Sequence, residues 1–189
     1  MKLTGSILAA LSAATITSGD VIMDQIGPDD GSNVGANITG CQNFEAAYDI
    51  YDIATLDDFA ADGGEEINMI EMCLNGWNGF GDPSSVFGYT ANLYSSPEAA
   101  ALDLMGDIGS SHVDAADATQ SATWMGAGFK ISMPSEMTAA AGTNWVSMIP
   151  DNDFATGGQT GVGDALTGNG VLGYQSHHQG LVCQATCNK

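Results

Sequence analysis

Residues Thr55–Trp77 read T-L-D-D-F-A-A-D-G-G-E-E-I-N-M-I-E-M-C-L-N-G-W. A short apolar run leads into Asp57-Asp58-Phe59, Gly63-Gly64 marks a tight turn, and Ile67 to Leu74 is a β-rich run ended by Asn75-Gly76. Two strands joined as a hairpin are the expected structure.

On the N-terminal side, Asp20 to Ile26 reads as a short strand, D-V-I-M-D-Q-I, stopped by Gly27-Pro28. Asp29 to Gly40 is rich in Gly, Asn and Asp and reads as a loop; it contains the N-glycosylation pattern Asn37-Ile38-Thr39. The run from Cys41 to Thr55 offers Phe44, Tyr48, Ile50 and Ile53 as core residues, with Tyr51 facing water.

On the C-terminal side, Asn75 to Val86 reads as a Gly-rich loop carrying Trp77 and Phe80. Phe87 to Tyr94 alternates as a half-buried strand does. Ser96 as a cap, Pro97 in the first turn, Glu98 and then Ala99 to Met105, stopped by Gly106, predict a short helix. Ser121 to Met133 and Asn144 to Ile149 read as strands holding Trp124 and Trp145, and the P-S-E-M-T-A-A-A-G-T between them as a connection. A late strand is expected over Val171 to Gln175. Short strands punctuated by Gly, Pro, Asn and Asp predict an all-β fold, an antiparallel, jelly-roll-like β-sandwich with one short helix. A mixed α+β domain using both Ala-rich segments as helices is the alternative.

The first residues read as a leader rather than as part of that sandwich. Lys2 followed by the apolar, Ala-rich Leu3–Ile16 and the small Ser18-Gly19 has the form of a secretory signal peptide. The apolar part is short for a membrane span. The expected organisation is a signal peptide at 1–19, one β-sandwich domain at 20–182 and a C-terminal tail at 183–189, with the product secreted or attached to the cell surface.

The 189 residues carry 23 acids against three Lys and no Arg, a formal net charge of −20. Such a surface repels phosphate backbones and anionic lipid, which argues against nucleic acid as a partner. It suits solubility, and it suits a divalent cation, calcium first. Asp151-Asn152-Asp153 beside a Gly-rich stretch, and the pair Asp57-Asp58, are the candidate ligands; no stretch has the EF-hand pattern. The four cysteines, Cys41, Cys73, Cys183 and Cys187, are an even set in an exported chain, and the expected bridges are Cys41–Cys73 and Cys183–Cys187. A zinc site with His177 and His178 is the alternative, although the spacing matches no standard zinc pattern.

The series D-Q-I-G, Phe44, D-I-A-T-L-D-D-F, a Gly-Gly turn, I-N-M-I-E-M and A-G-T-N-W-V-S-M-I-P resembles a loosely defined family of secreted bacterial domains, common in planctomycete-like bacteria. The resemblance spans Asp20 to about Gln175. It implies a β-sandwich of the kind that precedes C-terminal surface-anchor or dockerin-like segments, and it implies no activity.

For catalysis the chain offers no G-x-S-x-G, H-E-x-x-H or phosphate-binding glycine loop. His112, His177 and His178 have no nucleophile partner in sequence, and His177-His178 reads as an exposed turn. Trp77 and Phe80 are the candidate ligand-binding aromatics, able to stack on a sugar face, whereas Trp124 and Trp145 read as core. The expected function is therefore a non-catalytic secreted or cell-surface module with a structural or adhesive role, with extracellular glycans or surface proteins as partners. A calcium-assisted carbohydrate-binding module is second and a glycan-active hydrolase third.

Overall fold

The computed structural model describes residues 21–28, 30–44, 51–102, 105–121, 128–166 and 174–179. Eleven strands occur among these: β1 Val34–Gly40, β2 Asn43–Phe44, β3 Tyr51–Ala61, β4 Glu66–Trp77, β5 Val86–Tyr94, β6 Gly109–Asp114, β7 Thr119–Gln120, β8 Phe129–Thr138, β9 Gly142–Asn152, β10 Gln159–Ala165 and β11 Tyr174–Gln179. The described helices are α1 (Pro97–Leu102) and the single turn α2 (Phe154–Gly157). The strands form two sheets. Sheet A has the order β1-β10-β4-β8-β7 and sheet B the order β11-β3-β9-β5-β6, with β2 beside the far end of β9. Every described pairing is antiparallel except the two-residue β2–β9 contact. The protein is an all-β, two-sheet sandwich, as the punctuation of its sequence predicts.

The expected central hairpin is not one. Both strands exist, but β3 pairs with β9 and β11 in sheet B while β4 pairs with β8 and β10 in sheet A. The Gly63-Gly64 turn therefore carries the chain from one sheet to the other. Its hydrogen bonds explain why no hairpin closes. The Asp62 and Gly63 amides donate to the Glu65 carboxylate, both at 2.7 Å, and the Gly64 amide donates to Ala139 O at 3.0 Å. The turn is tied to the end of β8, so β4 leaves it along β8. Local pattern fixes a strand's faces, and partner choice belongs to the whole sheet.

Both faces of sheet B are covered. Tyr89, Ala91, Leu93 and Met148 point toward sheet A and meet Leu74, Ile131 and Met133 in the main core. Their strand neighbours point the other way: Tyr94 and Ile149, with Ala54 and Leu56, form a second cluster with Cys41 and with Ala100 of α1. The helix forms where predicted, with the Ser96 hydroxyl accepting from the Ala99 amide at 3.2 Å. It is the lid of that second cluster.

Several local expectations are corrected. Residues 21–28 are not a strand; Met23 packs on the main core and the Gly27 amide turns back onto the Asp24 carboxylate. The supposed loop before Gly40 contains β1, an edge strand bearing the exposed Asn37. Pro134 to Thr138 continues β8 instead of connecting strands, because Met133, Ser135 and Met137 alternate inward there. The late strand runs over Tyr174–Gln179, so His177 and His178 lie in β11, opposite Ile53 and Asp52, and not in a turn.

The Cys41–Cys73 bridge does not form: both are buried free thiols. Cys73 lies on the face of β4 opposite Leu74, away from sheet B, while Cys41 sits in sheet B's second cluster, where its thiol donates to Met148 O at 3.3 Å. Sheet A stands between them, beyond the reach of a disulfide. Burial pushes both thiols up, Cys41 to about 12, and they behave as core residues. Cys183 and Cys187 with their expected bridge, Trp124, the expected leader at 1–19 and the expected tail at 183–189 lie outside the described residues, as do the side chains of Phe44, Tyr48, Ile50, Tyr51 and Ile53.

Candidate functional site

One end of the sandwich gathers most of the chemistry. Trp77, the last residue of β4, pairs with Gln159, the first of β10; Val86, the first of β5, pairs with Asn152, the last of β9. The β4–β5 and β9–β10 connections, each crossing from one sheet to the other, thus lie side by side. They touch at Gly158, where an added Cβ would stand 2.3 Å from the Phe80 amide and 2.9 Å from Asn78 O. The Asn78 amide donates to the Gln159 side-chain oxygen at 2.5 Å across the same seam.

Aromatic side chains crowd this end, and they divide by role. Phe80 folds back on the main core, over Gly76, and is not an exposed ring. Trp77 is 36% exposed, Phe154 of α2 37% and Phe87 50%. Phe87 is the extra residue of a β-bulge, since Val86 and Gly88 oppose the consecutive Asn152 and Asp151. Such a bulge re-aims a side chain. Trp77 is held from beneath: its Cζ3 atom lies over Gly161, sharing that space with Ile38 of β1. Of the two aromatics singled out in the sequence, one is a half-exposed platform and the other a core plug. Phe87 and Phe154 escaped notice because neither a bulge nor a one-turn helix shows in a residue pattern.

The predicted metal ligands do not converge. Asp57 and Asp58 are successive strand residues and point to opposite faces of β3. Asp58 lies opposite Trp145, six residues along β9 from Asp151, or roughly 20 Å. Within Asp151-Asn152-Asp153, each side chain has a structural task. Asp153 caps α2, accepting from the Ala155 amide at 3.1 Å and the Thr156 hydroxyl at 2.9 Å. Asn152 is fully buried and donates to Gly158 O at 3.0 Å. Asp151, 3% exposed, accepts from the Asn43 amide at 2.7 Å. Among the described residues no three His, Cys, Asp or Glu side chains form a group fit to hold a metal ion. Asp57 and Asp151 face opposite sides of sheet B, so these two do not form the facing carboxylate pair of a glycosidase.

A polar cluster near the same end was not legible as a unit. His112 of edge strand β6 reaches across Gly88 of β5 toward Asp151 of β9, with Nδ1 3.4 Å from Asp151 Oδ2 and 3.0 Å from Thr90 Oγ1. Gly88 makes this possible, because a Cβ there would stand 2.6 Å from Asp151 Oδ2 and 2.8 Å from His112 Cε1. The glycine inside F-G-Y-T-A-N-L-Y was the available signal, since Gly within a strand marks a close approach.

Burial raises the Asp151 carboxyl above the ordinary range, opposed by the Asn43 amide and the His112 imidazole; burial likewise raises Asp57. A carboxyl whose folded value is raised favours the folded state fully below the unfolded value, near 4, and that contribution is lost as pH rises through the raised value. Asp151→Asn keeps an acceptor for Asn43 and removes the titration. Its unfolding midpoint relative to wild type is therefore expected to climb as pH rises above about 4 and to level off once the carboxyl is ionised in the folded state. A difference that stays level throughout that rise in thermal melts would show that the Asp151 charge carries no such penalty.

No family model, curated protein or solved structure matches this chain.

Proposed function

We propose that the protein is a non-catalytic secreted or cell-surface module with an adhesive role, and that the end carrying Trp77, Phe87 and Phe154 is its contact surface. The observation that carries this reading is that the exposed large aromatics among the described residues, Trp77, Phe87 and Phe154, all lie in or beside the two connections at one end of the sandwich. Exposed apolar groups gathered in one place mark interaction sites, and aromatics are the residues enriched there. The leader-like 1–19 stretch and the strongly acidic surface agree with export. A calcium-assisted version draws less support, because the candidate carboxylates are engaged in capping and strand contacts.

The reading is tested by coating beads with the domain and measuring their retention on surface material from the producing cells. Wild type is expected to be retained, equally with chelator and with millimolar calcium. Replacing Trp77 and Phe154 together by Ala should release the beads. Retention that survives this change would move the contact surface elsewhere. Retention that disappears with chelator would restore the calcium reading; a specific site should then add about 2.7 kcal/mol of stability at a hundredfold excess of calcium over its dissociation constant.

A further inference from the structure

We infer that the aromatic end binds an uncharged carbohydrate, with the C–H face of a sugar ring stacked on Trp77 and its hydroxyls met by the amides of Asn78 and Gln159. This names a ligand class for the contact surface proposed above and rests on that reading.

Three observations lead to it. The first is the platform. Trp77 ends a central strand, its ring is backed by Gly161 and Ile38, and over a third of it remains open to solvent. A large ring already fixed by its own sheet offers contact area at little entropic cost.

The second is the polar pair beside it. Asn78 follows Trp77 in the chain and Gln159 is its strand partner. Asn78 Nδ2 donates to Gln159 Oε1, which leaves Asn78 Oδ1 as an acceptor and Gln159 Nε2 as a donor. A donor and an acceptor side by side match neighbouring hydroxyls, each of which both donates and accepts.

The third is charge. The surrounding segments carry Asp82 and Asp153 and no cation, and Lys130 is engaged with Glu71 on sheet A at 3.0 Å. With a chain charge of −20, this end repels uronates, sulfated sugars and phosphates. An apolar ring flanked by neutral amides in an acidic field selects a neutral polyhydroxylated ligand. A wholly apolar peptide would leave the exposed amides without partners.

The test is native affinity electrophoresis of the full chain in gels containing dextran, mannan, xylan, mixed-linkage β-glucan or hydroxyethylcellulose, with alginate as the polyanion. At least one uncharged polysaccharide is expected to retard the wild type, and alginate is not. Trp77→Ala should weaken that retardation at least about tenfold, as loss of a central aromatic anchor does. Gln159→Ala, which leaves the strand backbone and Trp77 in place, should weaken it less but measurably. Circular dichroism of both variants checks that the sheet is intact. Absence of retardation in all the uncharged gels overturns the inference, as does retardation by alginate or an unchanged response in Trp77→Ala. If bead retention still depends on Trp77 while no polysaccharide retards the chain, the contact surface stands and its partner is a protein. If neither responds to Trp77, both readings fall.

Discussion

Gly158→Ala is expected to lower stability by roughly 3–5 kcal/mol, the sum of a strained backbone and an overfilled space. Gly158 has φ 71° and ψ −155°, a combination that side chains with a Cβ avoid. Its surroundings add to the strain. The added carbon would lie 2.3 Å from the Phe80 amide and 2.7 Å from Gly79 C, and these are backbone atoms that cannot rotate away. Gly64→Ala separates the two contributions, because Gly64 also has positive φ, 94°, but has nothing within 4 Å of an added Cβ. That variant should lose only the strain, about 1–2 kcal/mol. The two are compared by denaturant unfolding. Equal losses would mean that the close approach of the two connections is not what demands glycine at 158. The expected inequality also has a functional side, since Gly158 is where the Trp77–Phe80 segment and α2 meet.

Leu74→Ala is expected to cost about 3 kcal/mol, which for a domain of this size lowers the unfolding midpoint by about 6–12 °C. Leu74 is fully buried, lies on the central strand of sheet A between Val162 and Phe129, and packs into the core between the sheets. Neighbours on both flanking strands and across the sandwich hold the walls of the space it fills, so the cavity left by truncation cannot collapse readily. Met69 is the control, on the same strand but 60% exposed. Met69→Ala should change stability by no more than about 0.5 kcal/mol. A loss at Leu74 as small as that at Met69 would place the core elsewhere.

The fold class was legible because it depends on local chemistry. Alternation in Phe87–Tyr94, punctuation at Gly63-Gly64 and the Ser96-Pro97-Glu98 helix start each act over a few residues, and each produced its element. Pairing was not legible. The same Gly-Gly turn serves a hairpin or a passage between sheets, and the choice was made by Ala139, distant in sequence. The Cys41–Cys73 expectation failed for the same reason: an even count of cysteines says nothing of which side of a sheet each occupies. Trp77 was recognised as a candidate by type. Its partners Gln159 and Gly161 lie more than eighty residues on and carry no signal of their own.

By itself, then, the sequence determined an acidic, all-β chain with its turns and the capped start of α1, since composition, period and capping are properties of neighbours. Tertiary structure alone decided that β3 and β4 belong to different sheets, that Asp57, Asp58 and Asp151–Asp153 do not converge, and that Trp77, Phe87 and Phe154 lie toward the same end of the sandwich. The physical reason is that a strand's faces are set by its own alternation, whereas its partners are set by which sheet buries the most apolar surface with its backbone hydrogen bonds satisfied.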